Sequence, residues 1–151
     1  MATVFTVDAS VFVASCRLHE RWCAASCEFL RLVRREGLAL IEPAILPVEI
    51  AAAIARGGED PAWANEYAES VLALPYLTLH PLDEHTARRA VSVAIQCRLR
   101  GADALYVAAA AQYGARLVTL DAEQLDRAPA RVGACKPDAA TSLLRRAKME
   151  P

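Results

Sequence analysis

The sequence lacks any apolar run of about 18 residues, the length that a helix needs to cross a bilayer. Its first residues also lack the basic start, apolar stretch and small-residue cleavage site of a secretory signal. It contains no internal repeat, low-complexity stretch or long linker. With 55% hydrophobic and 23% charged residues, the composition excludes a disordered chain. We therefore expect a cytoplasmic protein with one globular domain, residues 1–151.

The five cysteines form no CxxC pair. Their odd number, without a secretory signal, indicates reduced and mostly packed thiols. His19, Cys23 and Cys27 are spaced as i, i+4 and i+8, which is one face of a helix. This face admits three metal ligands, or two small core residues beside a helix-end histidine. No fourth ligand for zinc is evident, so packing is the simpler interpretation.

The sequence also has no excess of positive charge, since its net charge is -1. No global basic field therefore indicates nucleic-acid binding. The cations are nevertheless two lysines against 15 arginines. Arginine binds phosphate through a bidentate fork, although genome composition produces the same bias. The charge balance neither supports nor excludes RNA, and any phosphate contacts must be local.

Short β-branched and aliphatic segments alternate with helical patterns along the chain. Strands are predicted at residues 3–7, 38–41, 76–79 and 115–120, with a possible short strand near Val132. Helices are predicted at residues 10–15, 20–35, from Pro43 or Pro47 to Arg56, and at 61–74, 83–99, 102–113 and 138–147. The alternation predicts an α/β fold with a parallel sheet that helices cover on both faces.

Two acids directly follow predicted strands. Asp8 follows residues 3–7, and Asp121 follows residues 115–120. In open parallel sheets, ligands bind beyond the carboxyl ends of the strands, where both acids would lie. Each acid is equally well explained as a helix N-cap, and Gln124 gives Asp121 the spacing of a capping box.

Two further acids stand alone on apolar helices. Glu49 is the only charged residue of the segment AILPVEIAAAIA, and Asp103 is the only one of GADALYVAAAAQYG. A carboxylate on a mostly buried helix costs several kcal/mol unless it is paired, hydrogen-bonded or bound to metal. Alternatively, the helix dipole favours Asp103 in a first turn, and Glu49 points into a narrow solvated seam.

Four carboxylates at one end of a sheet would repel each other unless a cation neutralised them. Oxygen ligands favour Mg²⁺ or Mn²⁺ over zinc. Mg²⁺ keeps several waters and takes phosphate oxygens as further ligands, which suits an incomplete protein cage. The four acids therefore predict metal-assisted hydrolysis of a phosphodiester.

The chain resembles the PIN-domain nucleases, and more narrowly the VapC toxins of toxin–antitoxin pairs. The resemblance is carried by VDASVFV at 7–13, LPVEIAAAIAR at 46–56 and RGADALYVAAAAQYGARLVTLD at 100–121. It extends over a core of about residues 3–132. It implies a single-domain three-layer α/β/α sandwich, a divalent metal, and endonucleolytic cleavage of RNA by an activated water.

The resemblance also implies a role for individual residues. It identifies four catalytic, metal-binding acids: Asp8, Glu49, Asp103 and Asp121. Ser10 and Thr119 match residues that support such a site. Arg98 and Arg100 are the nearest candidates for contacts with RNA, although solvated helix-end charges explain them equally well. Asp126 is interpreted as a surface acid.

As partners, the resemblance implies a small antitoxin that inserts a segment near the acids, and a second copy of the chain in a homodimer. The helix with Trp63, Tyr67 and Val71 is either that interface or plain core. The extension at residues 134–151 is a helix packed on the domain, a partner-binding element or a phosphate contact. The competing functions are an RNA-processing nuclease without an antitoxin and a PIN-like scaffold that has lost catalysis.

Overall fold

Four short strands form the central sheet, and all of them run parallel. In the computed structural model, which describes residues 3–149, they are β1 (Val4–Val7), β2 (Ala39–Pro43), β3 (Leu77–His80) and β4 (Arg116–Val118). Their order across the sheet is β3-β2-β1-β4. Phe5, Thr6 and Val7 are each at most 1% exposed, so both faces of β1 are covered. The predicted α/β architecture with a parallel sheet is confirmed.

The order of the strands reverses beside β1. Strands β1, β2 and β3 follow one another toward one edge of the sheet, whereas β4 joins β1 from the opposite side. In open parallel sheets, ligands bind in the crevice beyond the carboxyl ends of the strands at such a switch point. Residues that directly follow β1 and β4 are therefore brought to one crevice.

Eight α-helices and a short 3-10 turn flank the sheet within residues 3–149. They are α1 (Ala9–Ser15), α2 (Cys23–Glu36), α3 (Leu46–Arg56), α4 (Pro61–Leu72), α5 (Glu84–Cys97), α6 (Gly101–Tyr113), α7 (Ala122–Arg127), the 3-10 turn (Ala130–Val132) and α8 (Pro137–Ala147). Pro47 and Pro61 stand in the first turns of α3 and α4, where the missing N–H breaks no helical bond. None of these helices is long and apolar enough to cross a membrane.

Helix α6 is the most deeply buried helix, and it packs against β1, β2, β4 and α5. Residues 103–110 are all buried, and apart from Asp103 they are alanine, leucine, valine and one tyrosine. A helix that is apolar all round belongs inside a protein. Asp103 is therefore an acid at the start of a buried helix, and Gly114 ends that helix in the left-handed conformation (φ 61°).

Helix α2 begins at Cys23, three residues later than predicted. The preceding turn is tied to α3, because the Arg17 guanidinium donates to the Ala53 carbonyl oxygen (3.0 Å), and to the segment after α3 through Glu59 (3.1 Å). His19 lies in this turn and not on the helix, so the proposed face of His19, Cys23 and Cys27 does not exist.

The possible strand near Val132 is instead the 3-10 turn, which Pro129 precedes and Gly133 ends. The position beside β4 is taken by Cys135, whose N–H donates to the Leu117 carbonyl oxygen (2.9 Å). A proline followed so closely by a left-handed glycine leaves no room for an extended segment.

The face of α4 that was predicted as interface or core is packed within the chain. Val71 is 4% exposed, and Trp63 and Tyr67 stack and pack against the core. The Tyr67 hydroxyl donates to the Phe12 carbonyl oxygen (2.8 Å). This face is therefore core.

Candidate active site

A cleft of about 460 Å³ contains all four acids that were predicted from the sequence. Asp8 directly follows β1, and Asp121 lies at the start of α7, beyond β4. Glu49 lies in the first turn of α3, and Asp103 lies in the first turn of α6. The fold thus brings together four carboxylates that are far apart along the chain.

Asp8 is buried, with 6% of its surface exposed, and it caps α1. Its Oδ2 accepts a hydrogen bond from the Ser10 backbone N–H (2.9 Å), and its Oδ1 accepts one from the Gln124 side-chain amide (3.3 Å). Burial raises the pKa of Asp8, although these hydrogen bonds oppose the shift. Asp8 is therefore both a cap and a cleft acid, so the two interpretations of its position are compatible.

Arg100 joins the two acids on the other side of the crevice. Its Nε donates to Asp103 Oδ2 (3.0 Å), and its Nη2 donates to Asp121 Oδ2 (3.3 Å). Burial still raises the pKa of Asp103, and the adjacent Arg100 only partly offsets that effect. Most of the Arg100 side chain is exposed, so the guanidinium can move away from these carboxylates without disturbing the packed core.

Glu49 is half-buried in the same cleft. Burial raises the pKa of its carboxyl group, and repulsion from Asp8 and Asp103 acts in the same direction. The hydroxyl of Tyr106 lies beside Glu49 but makes no well-aligned hydrogen bond to it. Glu49 is thus directed into the cleft with little to neutralise its charge.

Gln124 is a cleft-supporting residue that the sequence reasoning recognised only as part of a cap. It is fully buried, and its side-chain amide donates to Asp8 and to the Asp103 carbonyl oxygen (both 3.3 Å). In a complete capping box, this side chain would return to the N–H of Asp121. That N–H instead donates to Thr119 Oγ1 (3.0 Å). The spacing of Gln124 three residues after Asp121 indicated a capping box, but only the fold shows that Gln124 reaches Asp8.

Ser10 and Thr119 hold the backbone around the cleft. Ser10 Oγ accepts from the Leu120 N–H (3.1 Å), which ties the start of α1 to the segment after β4. The Thr119 hydroxyl donates to Gln124 Oε1 (2.6 Å). Both side chains therefore position cleft residues through hydrogen bonds.

Glu42, near the end of β2, is a fully buried carboxyl group that the sequence reasoning missed. Its Oε1 accepts from the Val7 N–H (2.7 Å), next to Asp8. Its Oε2 is buried without a hydrogen-bond partner among the described residues. Burial raises the pKa of Glu42 well above its ordinary value, and the Asp8 charge adds to the effect. The sequence pattern could have identified Glu42, because it directly follows a predicted strand, as Asp8 and Asp121 do.

Other residues considered at the sequence level lie outside the cleft. Arg98 is exposed at the end of α5 and is not part of the cleft wall, in contrast to Arg100. Asp126 is exposed on α7. Cys23 and Cys27 each donate from Sγ to the Ser15 carbonyl oxygen (3.6 and 3.0 Å), which is a packing role.

The donor set of the cleft fits a hard divalent cation. Carboxylate oxygens are the ligands that Mg²⁺ and Mn²⁺ prefer, and burial raises the pKa of three of the four cleft acids. A bound cation would supply the missing positive charge. No three acids, histidines or cysteines within residues 3–149 form a ready-made cage, and Arg100 provides the charge beside Asp103 and Asp121.

Sequence comparison relates this cleft to a known family. The model of the PIN domain family matches residues 5–130, which is most of the chain and includes all four cleft acids. No curated protein is significantly similar in sequence.

Solved structures share the fold. The crystal structure of PAE2754 from Pyrobaculum aerophilum has a TM-score of 0.71 and 24% identity, over 97% of this chain and 92% of that chain. VapBC2 from Rickettsia felis, bound to a DNA fragment from its promoter, has a TM-score of 0.67 and 12% identity over 89% and 98%. A toxin–antitoxin complex from Klebsiella pneumoniae has a TM-score of 0.62 and 16% identity over 88% and 97%. At identities this low, the similarities show the fold.

Proposed function

Since the chain belongs to the PIN domain family, whose members are generally nucleases, we propose that it is a metal-dependent endoribonuclease. The observation that carries the proposal is the meeting of four carboxylates in one cleft, with burial raising the pKa of three of them. A purely structural site would have little reason to collect like charges that oppose folding. A divalent cation and a phosphodiester account for this arrangement.

Each acid has a proposed role. Asp8 and Asp103 would bind Mg²⁺ or Mn²⁺ directly, and Asp121 would hold a second ion or bound waters. The cation would lower the pKa of a bound water and neutralise charge on the phosphate. Glu49 would bind the metal directly or through water, and would accept a proton from the attacking water. Gln124 and Ser10 keep the Asp8 carboxylate aimed into the cleft.

Arg100 has a role in the same scheme. It holds Asp103 and Asp121 in place, and its side chain is long and mostly exposed. Cation binding to these carboxylates would release the guanidinium, which is then available to a phosphate of the RNA.

The proposed setting is a toxin–antitoxin pair acting in the cytoplasm. The support is that toxin–antitoxin complexes are among the solved structures that share this fold. The antitoxin would be a small protein that inserts a segment near the acids. An RNA-processing nuclease without an antitoxin, or a PIN-like scaffold without catalysis, would have the same fold. A small upstream gene for a DNA-binding protein with a flexible tail favours the toxin.

A homodimer is part of this proposal. Val91 and Ile95 are 57% and 73% exposed on α5, one helical turn apart. Apolar side chains at this spacing form a surface that a second copy could cover.

The function is tested by incubating purified protein with RNA. We expect cleavage with Mg²⁺ or Mn²⁺, no cleavage in EDTA, and a loss of at least about a hundredfold in Asp103→Asn because a metal ligand is removed. Asp126→Asn, which removes an exposed acid from α7, should cleave as the wild type does. Cleavage by Asp103→Asn at the wild-type rate would overturn the assignment of the site.

A further inference from the structure

Trp22 is the one aromatic residue in the described wall of the acidic cleft. It lies at the end of the turn between α1 and α2, and its side chain is half-buried. The metal chemistry proposed for the four acids does not use it. An aromatic ring beside a phosphodiester-cleaving site therefore calls for its own explanation.

Two cations lie against the Trp22 ring. The Arg21 guanidinium is 5.2 Å and the Lys136 ammonium is 4.7 Å from the ring centroid. They come from distant parts of the chain, since Lys136 immediately precedes α8. Neither cation makes a salt bridge within residues 3–149. Their charges are thus available to an anion.

The turn that carries Trp22 is held by a third cation, Arg17, whose charge is already paired. Arg17 also lies in the cleft wall, but it binds Glu59 (3.1 Å) and the Ala53 carbonyl oxygen (3.0 Å), and pairs with Glu20 (3.8 Å). These contacts fasten the turn that carries Trp22 to α3 and to the segment that follows α3. The ring is therefore part of a braced turn.

An indole ring with free cations beside it matches one unpaired nucleotide. A nucleobase stacks on an aromatic face, and arginine or lysine binds the adjoining phosphate. Bases inside a duplex are stacked on each other and cannot reach such a ring. In this arrangement a base takes the place of Arg21 or Lys136 over the ring, and the displaced cation moves to the phosphate.

We propose that Trp22, Arg21 and Lys136 form a subsite for an unpaired nucleotide of the RNA, next to the cleavage site. This inference rests on the proposed ribonuclease function and assigns the residues of this chain that would hold one unpaired nucleotide beside the four acids. A net charge of -1 is compatible with RNA binding of this kind, because the proposed phosphate contacts are local, at the rim of the cleft.

Binding can be measured without cleavage, using full-length protein in EDTA and a single-stranded RNA of about ten nucleotides. The chain has two tryptophans, so Trp63→Phe leaves Trp22 as the only tryptophan reporter. We expect the RNA to quench its fluorescence. Trp22→Ala should weaken binding by about tenfold, whereas Trp22→Phe should retain most of it because a ring remains.

Arg21→Ala and Lys136→Ala should each weaken binding and reduce its salt dependence by about one phosphate contact. Arg89→Ala removes one exposed cation from α5, outside the acidic cleft, and is the control that should leave binding unchanged. The same sequence as a duplex should bind wild type and Trp22→Ala equally. With Mg²⁺, Trp22→Ala should raise KM more than it lowers kcat.

An alternative role for Trp22 is to anchor the segment before α8 through Lys136. Equal single-strand affinity in wild type and Trp22→Ala, with a lower unfolding free energy in the variant, would establish that role and overturn the subsite. If the wild type cleaves RNA under those circumstances, the ribonuclease function stands. If the wild type cleaves no RNA but Trp22 is quenched and its variant binds poorly, the subsite stands and the ribonuclease function fails.

Discussion

The side chain of Glu42, near the end of β2, is fully buried. Pairing between β1 and β2 ends at Phe5 and Leu40, and beyond it side chains bridge the strands. The Thr6 hydroxyl donates to the Ile41 carbonyl oxygen (2.7 Å), and Glu42 accepts from the Val7 N–H (2.7 Å). Side-chain hydrogen bonds thus hold β1 and β2 together just before Asp8. Glu42 replaces a lost backbone hydrogen bond at this point.

Glu42→Gln should change how stability depends on pH. Burial raises the folded-state pKa of Glu42 well above its ordinary value of 4.5. Above about pH 4.5, the unfolded chain therefore loses a proton that the folded protein keeps, so this group makes stability fall as pH rises toward the folded pKa. The limiting slope is about 1.4 kcal/mol per pH unit. Urea unfolding in EDTA across this range should show Glu42→Gln gaining stability relative to wild type.

The control for this experiment is Glu66→Gln, which removes a carboxylate from the exposed face of α4. Its unfolding free energy should follow the wild-type pH dependence. Parallel curves for Glu42→Gln and wild type would show that the folded protein does not hold the extra proton.

At the scale of elements, α8 is the helix that lies beyond the family match at residues 5–130. It packs against α2, and Ala140 on its inner face is fully buried. Arg145 pairs with Glu28, and Lys148 pairs with Glu36. Exposed ion pairs of this kind contribute little, so the apolar face carries the attachment. These contacts support the packed helix for α8 itself, whereas Lys136, which precedes α8, is the residue proposed to contact phosphate.

Ala140→Asp tests that attachment, because it would bury a charge without a partner between α8 and α2. We expect the unfolding free energy to fall by about 2 kcal/mol or more. Ala139→Asp introduces the same side chain one position earlier, on the exposed face, and should change stability by less than about 0.5 kcal/mol. Urea unfolding measures both, and an equal, small effect of the two substitutions would mean that α8 is not held on the domain.

At the scale of the whole molecule, exposed large apolar side chains are scattered over the described residues, and Val91 and Ile95 are the two that lie one helical turn apart on one helix. The residues that were predicted as interface or core, Trp63, Tyr67 and Val71, pack within the chain. Val91 and Ile95 remain open on α5. The proposed self-association is therefore expected through α5.

Sedimentation at micromolar concentration should give about twice the chain mass of 16.3 kDa. Ile95→Glu should shift the protein to the monomer, because it places a charge in the proposed apolar contact. Leu143→Glu, at a less exposed apolar position on α8, serves as the control and should remain dimeric. A monomeric wild type at these concentrations would contradict the dimer.

The sequence by itself determined the elements and the main acids. Hydrophobic periodicity and turn residues located most helices and strands to within three residues, because those signals are local. Asp8 and Asp121 were found by their place after strands, and Glu49 and Asp103 by their isolation on apolar helices. The same rule applied to Glu42 would have found it as well.

Only the tertiary structure decided which of these residues meet. The reversal of strand order beside β1 brings Asp8 and Asp121 to one crevice, and packing of α3 and α6 adds Glu49 and Asp103. Gln124 reaches Asp8 across 116 residues of sequence, and Lys136 reaches Trp22 in the same way. Such contacts depend on how buried helices pack onto a sheet, which local periodicity does not encode. The contacts that assemble the cleft are therefore decided by the fold and not by local sequence.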